Sequence, residues 1–148
     1  MKHLLAKLIE KNEKIAFAES ITGGALSSQF IKNKNASKAL DVSYIVYSNE
    51  KKIEVLGVDE KLIEKYTVVS EEVAYDMAKK LQMLTKVDLA VSTTGYASGN
   101  YELVCFVGIM YKSEIKVYKI VLDRKKSRIK NINFLTKEIS KLLNQTIA

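Results

Sequence analysis

Two hydroxyl side chains and two glycines fall together in Phe17-Ala18-Glu19-Ser20-Ile21-Thr22-Gly23-Gly24, a stretch suited by residue type to nucleophilic or anion-binding chemistry. Before it, Ile15-Ala16-Phe17-Ala18 is small and apolar enough for a short buried strand. After it, Ala25 to Lys32 reads as a helix, expected to start at Thr22, with Leu26, Phe30 and Ile31 toward a core. The backbone N–H groups at a helix N-terminus are unpaired and carry partial positive charge, which favours a phosphate or a developing oxyanion. Gly23 and Gly24 would let a ligand approach the backbone, with the Ser20 and Thr22 hydroxyls beside it. The plainer reading of the same residues is a Ser/Thr helix cap followed by glycines for close packing.

Further stretches give this motif a context. Tyr47-Ser48-Asn49-Glu50-Lys51-Lys52 follows an apolar strand and runs into Ile53-Glu54-Val55-Leu56-Gly57-Val58. Later come Val69-Ser70-Glu71-Glu72-Val73-Ala74 with Met77, then Thr94-Gly95-Tyr96-Ala97, then Asp123-Arg124 with Arg128. Taken in this order, the set resembles the CinA C-terminal domain family, whose enzymatic members are nicotinamide mononucleotide (NMN) deamidases. The resemblance covers nearly the whole chain. It implies an amidohydrolase in which Ser20 is the nucleophile and Lys52 its general base. It also implies a cytoplasmic protein with a small pyridine nucleotide as substrate, and a homodimer or larger assembly.

An amide hydrolase needs a nucleophile, a proton acceptor and donors for the oxyanion. A lysine serves as acceptor only if desolvation or neighbouring positive charge lowers its pKa; otherwise Lys52 is an exposed helix lysine. Lys51 is its competitor, one residue away and about 100° around a helix. Tyr47 and Asn49 match family positions beside the lysine. Glu19 either contacts substrate or accepts backbone hydrogen bonds around the glycine turn. Thr22, Gly23 and Gly24 join the expected substrate contacts, and Thr94 and Gly95 begin a loop that in the family lies near the substrate. Arg124 and Arg128 are the chain's only arginines, four residues apart. They are candidates for the substrate phosphate, since a guanidinium can make a planar, bidentate contact; the alternative is a pair of surface cations at the start of the last helix.

Three departures from the family pattern bear on the substrate. Ile21 stands where a cysteine is usual, and Leu122 replaces a glycine before Asp123-Arg124. The glycine- and proline-containing segment after Thr94-Gly95 is here the shorter, proline-free Tyr96-Ala97-Ser98-Gly99-Asn100-Tyr101-Glu102-Leu103-Val104-Cys105. The separate N-terminal domain of longer CinA proteins has no counterpart in this sequence, so its activity is not expected.

Composition narrows the class. At 148 residues, 47% hydrophobic and 28% charged, the chain is expected to fold as one globular domain. No apolar run approaches the roughly 20 residues of a membrane helix, and residues 1–10 lack the features of a secretory signal. A single cysteine, Cys105, lies in the apolar run Leu103 to Val107 and reads as a buried structural thiol, consistent with a reducing cytoplasm. The charge of +7 is spread as lysines over every helix, so a nucleic-acid partner is not expected. His3 is the only histidine, and neither a Rossmann fingerprint nor a Walker loop is present; no metal or other cofactor is expected.

The elements that must position these residues follow from periodicity. Helices are expected near 2–12, 49–56, 59–65, from Ser70 and from about Lys125; strands near 15–18, 42–47, 87–92, 103–111 and 115–122. Alternating strands and helices with one hairpin make an α/β fold, a three-layer α/β/α sandwich with a mixed sheet. Ser20, Tyr47 and Thr94, each just past an expected strand, then share one cleft.

Overall fold

The computed structural model describes all of residues Met1–Ala148. Five strands form one mixed sheet: β1 (Ile15–Glu19), β2 (Leu40–Ile45), β3 (Leu89–Gly95), β4 (Val104–Tyr111) and β5 (Glu114–Val121). Their order is β2-β1-β3-β4-β5, parallel among β2, β1 and β3 and antiparallel from β3 to β5. The helices are α1 (Lys2–Lys11), α2 (Ala25–Ile31), α3 (Asn49–Glu54), α4 (Glu60–Tyr66), α5 (Glu71–Thr85) and α6 (Arg128–Thr146). None is long and apolar enough to cross a membrane.

The two sheet faces carry different side chains, and this sets the layers. Phe17, Leu89, Val91, Val107 and Ile109 meet Leu4 and Leu8 of α1, Leu26 and Phe30 of α2, and Leu135, Ile139 and Leu143 of α6 in the larger core. The other face offers Ala16, Ala18 and Ala90 to Val73, Met77 and Leu81 of α5. Small residues let α5 come close. A Cβ on Gly108 would lie 2.4 Å from the Ala74 carbonyl oxygen, and the Ser92 hydroxyl donates to that same oxygen at 2.7 Å. The result is the expected three-layer sandwich. Cys105 is fully buried in the larger core, and burial pushes its thiol pKa up, away from reactivity.

Several boundaries differ from those expected, each for a local reason. β2 ends at Ile45, so Tyr47 lies in a connecting segment that leads to the Ser48 cap, whose hydroxyl accepts the Lys51 amide. β3 extends through Gly95 because its antiparallel pairing with β4 continues to Cys105; Thr94 is therefore a strand residue. α2 starts at Ala25 because Gly23 and Gly24 have φ of 57° and 102°, left-handed values that no helix interior contains. α6 starts at Arg128, capped by Ser127, so Arg124 precedes the helix.

Candidate active site

The parallel pairing of β1 and β2 brings the first two motifs together. Glu19 and Ile45 are register partners at the strand ends, and the Val46 amide donates to the Glu19 carbonyl at 2.9 Å. Ser20 and the start of α3 thus leave the sheet side by side. Glu19 is fully buried and turns its carboxylate back onto the glycine turn. It accepts the amides of Gly24, Leu26 and Ser27 at 3.2, 2.9 and 3.0 Å, and the Ser27 hydroxyl at 2.5 Å. The carboxylate therefore occupies the helix N-terminus at which a phosphate or oxyanion was envisaged. Thr93, which the sequence reading passed over, fixes the other side: its hydroxyl accepts the Ser20 amide at 3.2 Å and pairs with the Thr22 hydroxyl at 3.0 Å.

Lys52 is 1% exposed, and its Nζ lies 2.9 Å from Ser20 Oγ and 3.1 Å from the Tyr47 carbonyl. Neither partner is charged, so burial is not offset by a counter-ion, and desolvation lowers the lysine pKa from 10.5 to about 8. Lys51 projects into solvent and pairs with Glu54 at 2.7 Å. The choice between the two lysines is made by the turn of α3: one residue of rotation takes the chain from water to the buried serine.

Outward from this pair opens a cavity of about 260 Å³ whose wall includes Ser20, Tyr47, Asn49, Thr94, Gly95 and Arg128. Its wall also includes Ile21, Val68, Val69, Tyr96, Ala97, Ser98 and Tyr101. Thr94 donates to the Val68 carbonyl at 2.8 Å, tying β3 to the approach of α5. Gly95 leaves no room for a side chain, since a Cβ there would sit 2.3 Å from the Val104 oxygen and 2.8 Å from Ile21 Cδ1. Ile21 thus packs in the space that Gly95 leaves free.

Not every expected contact reaches the cavity. The side chains of Glu19 and Thr22 and the two glycines do not line it: the first two are buried in the hydrogen bonds just described, and Gly23 is exposed to solvent. The arginines separate as well. Arg128 faces the cavity and bridges its mouth, with Nη1 donating to Ser98 Oγ at 2.8 Å and Nη2 to the Tyr47 hydroxyl at 3.0 Å. Arg124 instead donates to the backbone carbonyls of Gly99 and Tyr101 and lies off the cavity wall. The helical spacing argument fails for this pair because Arg124 stands outside α6.

Comparison with known proteins agrees with this architecture. The sequence model of the CinA C-terminal domain matches residues 1–146. The chain belongs to the CinA C-terminal domain family. A Finegoldia magna relative, named as a competence-damage inducible protein, is 42% identical over 124 residues, covering 84% of this chain and 30% of that protein. A second, from Thermoanaerobacter, is 35% identical over 137 residues, 88% of this chain and 33% of the relative. The chain thus spans about a third of the length of these CinA relatives. Among solved structures, a CinA superfamily protein from Klebsiella pneumoniae superposes with a TM-score of 0.92 at 19% identity, covering 99% of this chain and 94% of that one. One from Enterobacter cloacae gives 0.92 at 21%, covering 99% and 89%. At such identities these neighbours establish the CinA fold.

Proposed function

We propose that this CinA domain is a Ser-Lys amidohydrolase acting on NMN, converting it to nicotinate mononucleotide and ammonia. The observation that carries the reading is the buried 2.9 Å contact between Lys52 Nζ and Ser20 Oγ, with the lysine pKa lowered to about 8. Near neutral pH a usable fraction of Lys52 is uncharged and can take the serine proton. Ser20 Oγ then adds to the carboxamide carbon as its proton passes to Lys52. The tetrahedral oxyanion needs donors, and the amides of Ile21 and Thr22 are unpaired in the protein's own hydrogen-bond network. Collapse of the intermediate breaks the C–N bond, Lys52 returns the proton to the nitrogen, and ammonia leaves. Water activated by the same lysine cleaves the acyl-serine to carboxylate and regenerates Ser20.

Arg128, at the mouth of the cavity and the one guanidinium on its wall, is suited to the substrate phosphate. In the free protein its donors rest on two neutral hydroxyls, Ser98 and Tyr47, which a dianion can displace. The shortened Tyr96–Cys105 segment supports a second reading, in which the domain has lost hydrolysis and binds a nucleotide-like ligand or a protein partner. Ammonia release from NMN by the purified protein decides the matter, with Ser20→Ala as control. Release that the control lacks supports the hydrolase; binding without release favours the second reading.

A further inference from the structure

The segment that departs most from the family pattern is also the one most heavily tied to the rest of the cavity. Tyr96 packs against the larger core, and Tyr101 stacks on it with ring centroids 3.9 Å apart and planes 10° from parallel. Tyr101 nevertheless remains 54% exposed and lines the same cavity as Ser20. The chain between the two rings turns through Gly99 at φ 99°. Its side-chain tethers come from Arg124 ahead of α6 and from Arg128 and Asn131 in the first turn of α6. Buried Asn131 donates to the Ala97 carbonyl at 3.2 Å, Arg128 to Ser98, and Arg124 to the carbonyls of Gly99 and Tyr101. Tethers at four of the five residues from Ala97 to Tyr101 are not needed to close an eight-residue connection; they hold one side chain in one place.

We propose that Tyr101 is a specificity-determining residue, presenting an aromatic platform against which the planar ring bearing the scissile carboxamide stacks. Arg124 is the positioning residue that holds it there. The proposal rests on the NMN reading for the identity of that ring and goes beyond it in assigning what selects the ring. With Arg128 at the mouth for phosphate and Ser20 on the floor for the carboxamide, the ring passes the Tyr96–Tyr101 pair. Two π faces already parallel lose little freedom when a third joins them, which is why stacking on ordered aromatics is effective and tolerant of ring substituents. Arg124, committed to two backbone carbonyls, contributes by fixing the loop and not by touching the ligand.

The test uses calorimetric titration of NMN and of ribose 5-phosphate, which lacks the ring, into Ser20→Ala protein so that no turnover intervenes. Adding Tyr101→Leu should weaken NMN binding roughly 5- to 150-fold, the range for loss of one stacked base, and leave ribose 5-phosphate within about twofold. Tyr101→Phe should retain the parent's NMN affinity. Arg124→Gln should weaken NMN alone, and should add nothing on the Tyr101→Leu background, a non-additivity that a merely structural arginine would not show. Unchanged NMN affinity in Tyr101→Leu, equal losses for both ligands, or no NMN binding by the parent would overturn the platform. Wild-type protein that binds NMN through Tyr101 yet releases no ammonia would remove the hydrolase reading and leave the platform standing.

Discussion

The floor and the roof of the cavity are built on opposite principles. The floor, Ser20 with Lys52, is buried beneath strand ends and is fixed by backbone pairing, by the Glu19 carboxylate and by Thr93. The roof, Ser98 to Tyr101, is exposed and is held by side chains reaching to it from Arg124 and Arg128, with Asn131 holding the adjoining Ala97. A floor set by sheet register tolerates little change, because a shift of one residue would reverse every side chain. A roof held by a few long side chains can be rebuilt without disturbing the sheet. On the proposed function, catalysis and substrate choice would fall in parts of the molecule that can change independently.

The comparison is broken most severely at the floor. Ser20→Ala should reduce ammonia release to the buffer rate, and Lys52→Met should lower kcat by about 10²- to 10⁴-fold, the range for loss of a general base. Persistence of most of the activity in Lys52→Met would end the dyad. At the roof's edge, Arg128→Ala should raise KM for NMN by roughly ten- to a hundredfold, from loss of a charged hydrogen bond worth about 1.5–3 kcal/mol. The corresponding nucleoside, without phosphate, should be little affected; equal effects on both would make the arginine structural.

Stability sharpens the contrast. Lys52 has its folded pKa near 8 against 10.5 for an ordinary lysine, so between these values the unfolded chain binds the additional proton. The destabilisation is fully present below about pH 8 and is relieved as pH rises toward 10.5, amounting to about 3 kcal/mol. Lys52→Met should therefore unfold at higher urea concentration than wild type at pH 7, with the advantage gone near pH 10.5. If Lys52 is the general base, kcat/KM for NMN should fall about tenfold per pH unit below pH 8, measured as a pH-rate profile.

Glu19→Gln should lower stability by about 1–3 kcal/mol, seen in the urea midpoint, because an amide NH₂ then faces backbone donors. Lys51→Met, which removes a solvent-exposed ion pair with Glu54, should change stability by less than about 1 kcal/mol and leave ammonia release at the wild-type rate.

Much of the fold was legible in the sequence because periodicity is a local property. Leu4 and Leu8, or Val73, Met77 and Leu81, announce a buried helix face without knowledge of what buries it. The Ser70 cap, which accepts the Val73 amide three residues on, is likewise local. What was missed depended on partners distant in sequence. Thr93 had no signal beyond its position at a strand end, and its role exists only because β1 and β3 are neighbours. Glu19 could be a ligand contact or a backbone acceptor until the turn placed the amides of Gly24, Leu26 and Ser27 around its carboxylate.

The sequence by itself determined the elements, their alternation and the order of the motifs, since these follow from hydrophobic spacing, caps and glycine positions along the chain. Tertiary structure decided which lysine is buried, which arginine faces the cavity and what Glu19 holds. Ser20 and Lys52 are 32 residues apart, and only the parallel pairing of β1 with β2 sets their amine and hydroxyl at 2.9 Å. Desolvation, which lowers that lysine's pKa, comes from the packed surroundings and has no representation in a one-dimensional chain.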